Sequence, residues 1–149
     1  MYQATLSDLT AADDALYDEF SPGFDYHDAL ARVSALREPL EALTGFALTL
    51  DTSVQDASFF TEFYARDPVP RPHPKAGQVI ETFIAIRFSS FADFFTIWGC
   101  SSERPITDEL RTRVAAFVSQ HNFIYVPPDI LDQPHPLYGT WWIRYFDYL

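Results

Sequence analysis

Residues Thr140 to Leu149 most restrict what this chain can become. The stretch Thr140-Trp141-Trp142-Ile143-Arg144-Tyr145-Phe146-Asp147-Tyr148-Leu149 holds two Trp, two Tyr, a Phe, an Ile and a Leu. Aromatic and β-branched residues suit a pleated, packed surface rather than a solvated tail. Taken with period two, Trp141, Ile143, Tyr145 and Leu149 fall on one face and Trp142, Phe146 and Tyr148 on the other. The stretch therefore reads as a strand covered on both sides, which closes the core or meets a partner.

A chain of 149 residues is one domain, 1–149, that buries roughly 68–70% of its unfolded surface. Its hydrophobic content of 48% excludes a disordered chain. No apolar run reaches the roughly 18 residues of a membrane span. Met1-Tyr2-Gln3-Ala4-Thr5 offers neither a basic start nor an apolar signal core, and Cys100 has no second cysteine to pair with. These features lead to the expectation of a cytoplasmic protein without a membrane anchor.

The formal net charge is −11, with 21 acidic and 10 basic residues. That balance argues against gripping nucleic acid or anionic lipid, both of which need Lys and Arg against phosphate. The distribution says more than the total. Asp8, Asp13, Asp14, Asp18, Glu19, Asp25 and Asp28 all precede Arg32, and no Lys or Arg does.

Leu9, Ala12, Leu16 and Phe20 recur at helical spacing, so a first helix capped by Ser7 or Thr10 is expected to run to about Phe20. Asp25 then caps a second helix with the stripe Ala29, Val33, Leu36, Leu40 and Leu43, interrupted near Glu38 by Pro39 and ended by Gly45. From Phe46 the period falls to two. Strands are expected around 46–51, 56–65, 79–88, 91–98 and 123–126, with the closing strand at 140–149. Between them Thr107 opens a helix to about His121, whose stripe is Leu110, Val114, Phe117, Val118 and His121. The expected fold is α+β: a mainly antiparallel sheet of five to six strands, with two N-terminal helices and helix 107–121 on one face.

No catalytic or cofactor signature stands out. The five glycines sit at element ends and form no phosphate loop. Pro68, Pro70, Pro72 and Pro74 lack the Pro-x-x-Pro spacing that groove domains grip, so they read as a stiff connection between strands. Asp129, Asp132 and His135 pair oxygen and imidazole ligands, but a proline-bracketed loop gives them no common face. Cys100 and His121 lack any feature that would bring them together, and Cys100 reads as a small, at least partly buried thiol. Asp93 sits in an aromatic strand and Arg144 between Trp142 and Phe146; these two can meet across the sheet, or Arg144 can stack on a ring.

In size, acidity, element order and lack of a catalytic motif, the whole chain is similar to small bacterial immunity or antitoxin-type proteins. That resemblance implies a basic protein partner, and the local acidity makes Asp13, Asp14, Asp18, Asp25 and Asp28, as outward carboxylates of two paired helices, the candidate surface; the alternative is that the acidity only keeps an aromatic-rich chain soluble. The rival reading is a small enzyme or ligand-binding domain with an aromatic pocket using Arg144, Arg87, Glu81 or His135. A homodimer through exposed aromatics is the third. None of these requires a metal or cofactor.

Overall fold

Thr5, not Ser7 or Thr10, opens the first helix. Its hydroxyl accepts the Asp8 N–H at 3.3 Å while the Asp8 carboxylate accepts the Thr5 N–H at 2.7 Å, a reciprocal capping box. The computed structural model describes residues 1–101 and 103–148. Helix α1 (Leu6–Ala12) ends well short of Phe20, and residues 13–24 carry no regular element. Asp25 caps α2 (Tyr26–Ser34) as its position demands, accepting the Asp28 N–H. α3 (Arg37–Thr44) is a fresh helix rather than a kinked continuation. Pro39 falls in its first turn, where a missing N–H costs no helical bond. Gly45 ends it in the left-handed region at φ 77°.

β1 (Thr49–Asp51) and β2 (Phe59–Arg66) precede a small hairpin of β3 (Arg71–His73) and β4 (Gly77–Val79), which is what the proline run builds. β5 (Thr82–Ser89) and β6 (Phe94–Trp98) follow, then α4 (Asp108–Ser119) and β7 (Ile124–Tyr125). The main sheet has five strands in the order β1-β2-β5-β6-β7, antiparallel except for β6 and β7. That parallel pair exists because α4 carries the chain back across the sheet. The rest of the chain forms α5 (Pro128–Leu131), the two-residue strands β8 (Pro134–His135) and β9 (Gly139–Thr140), and α6 (Trp141–Phe146).

The sheet is covered on both faces, which corrects the expectation of helices on one. Ile84, Ile86 and Phe88 of β5, with Phe63 and Phe95, pack on Val33, Leu36 and Leu40 and on Val114, Ala115 and Val118 of α4. The α4 stripe is thus rotated from the expected one, and Phe117 and Leu110 are only partly buried. The other face holds Phe91, Phe94, Leu9, Leu131, Trp141, Tyr145 and Phe146. Each large side chain fully removed from water contributes roughly 1.5–3 kcal/mol, so the second layer is a core in its own right.

α6 replaces the expected closing strand. Thr140 accepts the Ile143 N–H as its cap, and Trp141, Arg144 and Tyr145 fall on one side at helical spacing while Trp142 and Phe146 share another. Of the expected strand, Thr140 of β9 pairs with Pro134, and after Phe146 Tyr148 bridges to Ala57 and the Asp147 carbonyl accepts the Ser58 N–H at 3.0 Å. Leu149 lies outside the described residues.

The strand expected at 91–98 begins only at Phe94. Ala92 and Asp93 both have positive φ, 51° and 57°, and the Phe94 N–H reaches the Phe91 carbonyl at 2.9 Å, which makes a type I′ turn. An alanine in that region is strained by about 1–2 kcal/mol. Ala92→Gly is expected to stabilise by about 0.5–1 kcal/mol, net of the glycine's extra freedom when unfolded. Urea melts read this directly, and a destabilised variant would show that the turn is not under strain.

Candidate functional site

Arg144 explains why α1 stops where it does. The guanidinium is fully buried and makes four hydrogen bonds: Nε to Asp13 Oδ1 at 2.6 Å, Nη2 to the Asp14 and Tyr17 carbonyls at 2.8 and 2.7 Å, and Nη1 to the Asp18 carbonyl at 3.1 Å. Continued helix would use those carbonyls internally, so stopping at Ala12 frees them. The cation also lies 4.5 Å from the Phe91 ring centroid and 5.0 Å from that of Tyr138. Stacking was the right half of the sequence expectation. Arg144 and Asp93 do not meet, because Asp93, in the β5–β6 turn, pairs with Arg32 of α2 at 3.0 Å.

His135 completes the anchor. Its Nδ1 accepts the Leu137 and Tyr138 N–H groups at 3.0 and 3.1 Å, so the ring proton is on Nε2, which donates to Asp13 Oδ2 at 2.8 Å. Both ring nitrogens are taken. Asp13 is therefore an inward bridge between Arg144 and His135, not one of a row of outward carboxylates. Burial pushes its pKa up, but the hydrogen bonds from Arg144 and His135 outweigh that and hold it below the ordinary carboxylate range. A depressed folded pKa stabilises above the unfolded value and is lost as pH falls through the folded one. Stability should therefore drop below pH about 4, with a shallower drop in Asp13→Asn, whose neutral amide does not titrate. Equal acid slopes in the two proteins would remove Asp13 from the account.

Beyond this anchor, residues 14–28 expose acidic and apolar side chains. Asp18, Glu19, Asp25 and Asp28 are exposed and Asp14 is half-buried. Asp14 accepts the Leu16 N–H, and Asp18 Oδ1 accepts the Tyr138 hydroxyl at 2.5 Å. Between them stand Leu16, 87% exposed, and Phe20, 51% exposed, the two residues that the helical spacing had placed on a buried stripe. Of the five acidic residues singled out from sequence, Asp14, Asp18, Asp25 and Asp28 thus reach the surface, the first two on irregular chain rather than on a helix. Leu16, Phe20 and Glu19 join them, and their signal was only the Ser21-Pro22-Gly23 break that follows.

Next to this face, between residues 19–26 and 54–60, lies a cavity of about 470 Å³ lined by Phe20, Phe24, Tyr26 and Phe60 with Glu19 and Asp56. It uses none of Arg144, Arg87, Glu81 and His135. Arg87 is internal: Nε donates to Glu62 Oε2 at 2.7 Å and Nη1 to the Phe146 carbonyl at 2.6 Å, with the Phe59 ring centroid 3.9 Å away. A cation there satisfies a carbonyl at the C-terminal end of α6. Glu81 is half-buried, and its backbone carbonyl accepts the Asp67 N–H.

Asp129 lies in α5 and Asp132 caps that helix, while His135 turns to Asp13. Among the described residues no group of three metal-ligating side chains converges. Cys100 is exposed rather than buried, and His121 lies beyond α4, its Nδ1 at 3.0 Å from the Phe117 carbonyl. No helix is long and apolar enough to cross a membrane among the described residues. Compared with known proteins, the chain matches no family model, no curated protein and no solved structure.

Proposed function

We propose that this chain is a protein-interaction domain of the immunity or antitoxin type, which receives a basic protein partner on the face formed by residues 14–28. The observation that supports the reading most is how that face is held. Arg144 grips the segment by the backbone carbonyls of Asp14, Tyr17 and Asp18, so the chain is fixed while the side chains of Leu16, Asp18, Glu19 and Phe20 stay exposed. A binding loop ordered in advance loses less entropy on association. Exposed carboxylates raise the encounter rate with a basic surface, and exposed Leu and Phe provide apolar contact once docked.

The test is capture from lysate of the source cell at low and high salt, followed by association kinetics with the protein that is retained. Asp18→Asn/Asp25→Asn/Asp28→Asn keeps the caps, since Asn caps a helix as Asp does. Its melting temperature should match the parent's, its association should be slower, and the salt dependence of the rate should flatten. Equal rates at low salt would reduce the acidic face to solubilising surface. Sedimentation of the isolated chain separates this reading from self-association through Leu16 and Phe20.

A further inference from the structure

We infer that the cavity beside this face is a socket for a single arginine side chain of the basic partner, an inference that rests on the interaction reading above. Its walls are aromatic: the Phe24 and Phe60 rings lie 5.2 Å apart at 53°, and Tyr26 meets Phe60 edge-on at 6.3 Å. Among the described residues two carboxylates, Glu19 and Asp56, share the lining, and no Lys, Arg or His does. Neither carboxylate is in an ion pair among the described residues. Ring faces attract a cation, and carboxylates complement its charge and its N–H groups. A planar guanidinium stacks on rings and forks onto carboxylates together, whereas an ammonium acts as a point charge, so the lining favours arginine over lysine.

The cavity is built rather than incidental. Its rim at 18–21 is clamped on both sides, by Arg144 on the Asp18 carbonyl and by the Ser90 carbonyl, which accepts both the Ser21 N–H at 3.2 Å and its hydroxyl at 2.9 Å. On the opposite rim Asp56 is held at φ 51°, in the left-handed region, and the next residue, Ala57, is bridged to Tyr148. The Tyr26 hydroxyl donates to the Thr52 carbonyl at 3.4 Å. The volume of about 470 Å³ lies within the ordinary range for binding pockets.

The probe is the blocked tripeptide acetyl-Gly-Arg-Gly-amide, compared with its lysine and citrulline counterparts, titrated into isotope-labelled full-length protein and followed by NMR. The arginine peptide should give saturable shifts confined to residues 19–26, 54–60 and 90. It should bind at least about fivefold tighter than the citrulline peptide, which has the same shape without the charge. Glu19→Gln/Asp56→Asn should abolish that difference while leaving the melting temperature unchanged, since both residues are exposed. Equal binding of citrulline, equal binding of lysine, or shifts centred elsewhere would each overturn the assignment. The acidic face is tested separately. If Asp18→Asn/Asp25→Asn/Asp28→Asn slows partner capture while Glu19→Gln/Asp56→Asn does not, the socket fails and the face stands. If the arginine peptide binds as expected but the triple variant captures as fast as the parent, the interaction reading fails and the cavity remains a guanidinium site.

Discussion

Arg144→Met should destabilise this protein by about 3–5 kcal/mol, the cost of removing one partner of a buried ion pair. The variant leaves the Asp13 carboxylate without its cation and the Asp14, Tyr17 and Asp18 carbonyls without their donor. Against a total stability of about 5–15 kcal/mol for an ordinary domain, that is about a fifth of the whole at the least. Arg144→Lys should not rescue it, because one ammonium cannot reach four acceptors that a planar fork reaches together. Residues 13–20 should become susceptible to limited proteolysis, since the anchor holds a segment with no regular hydrogen bonding of its own. The double variant Asp13→Asn/Arg144→Met should be less destabilised than the two single losses added together, because the stranded charge is gone. A loss under about 1 kcal/mol for Arg144→Met in urea melts would mean that the segment holds itself.

Removal of residues 145–149 should prevent cooperative folding altogether. Tyr145 and Phe146 are fully buried, and truncating one such aromatic to alanine costs about 3–5 kcal/mol by itself. The deletion also takes away the Tyr145 hydroxyl, which donates to the Leu9 carbonyl at 2.6 Å, and the Phe146 carbonyl that receives Arg87. Glu62 and Arg87 would then face water on the sheet's second side, and α1 would lose the layer beneath it. The expected product is insoluble or lacks a sigmoidal melt. A shortened chain that melts at the parent temperature would make this segment an external arm.

That second result is the same whether residues 140–149 form a strand or a helix, and the sequence could not tell the two apart. Period and length decide such cases, and a six-residue helix that buries Trp141, Tyr145 and Phe146 and half-buries Trp142 shows no polar face to set a period. The remaining clue was Thr140 ahead of the apolar run, a cap position. Leu16 and Phe20 misled in the opposite sense. Their spacing from Leu9 and Ala12 is helical, but the helix ends before them and they face solvent.

The candidate site divides along the same line. That the acidity is concentrated ahead of Arg32 is visible in the residues alone. That Asp13 turns inward depends on Arg144 and His135, 131 and 122 positions away. The cavity likewise joins residues 19–26 to 54–60 and Ser90, and no local spacing encodes that meeting.

The strands of the central sheet, the caps at Asp25 and Thr107, the stop at Gly45 and the local negative charge were all determined by sequence. Each depends on neighbours within a few positions: alternation of side chains, a short polar side chain before a helix, a glycine free to take positive φ. Only the tertiary structure decided that helices cover both faces of the sheet, which carboxylates are spent on an internal cation, and where α1 ends. Those choices turn on buried charge. An arginine removed from water must be matched by whatever acceptors packing brings to it, and here that requirement outweighed the local preference of residues 13–20 for helix.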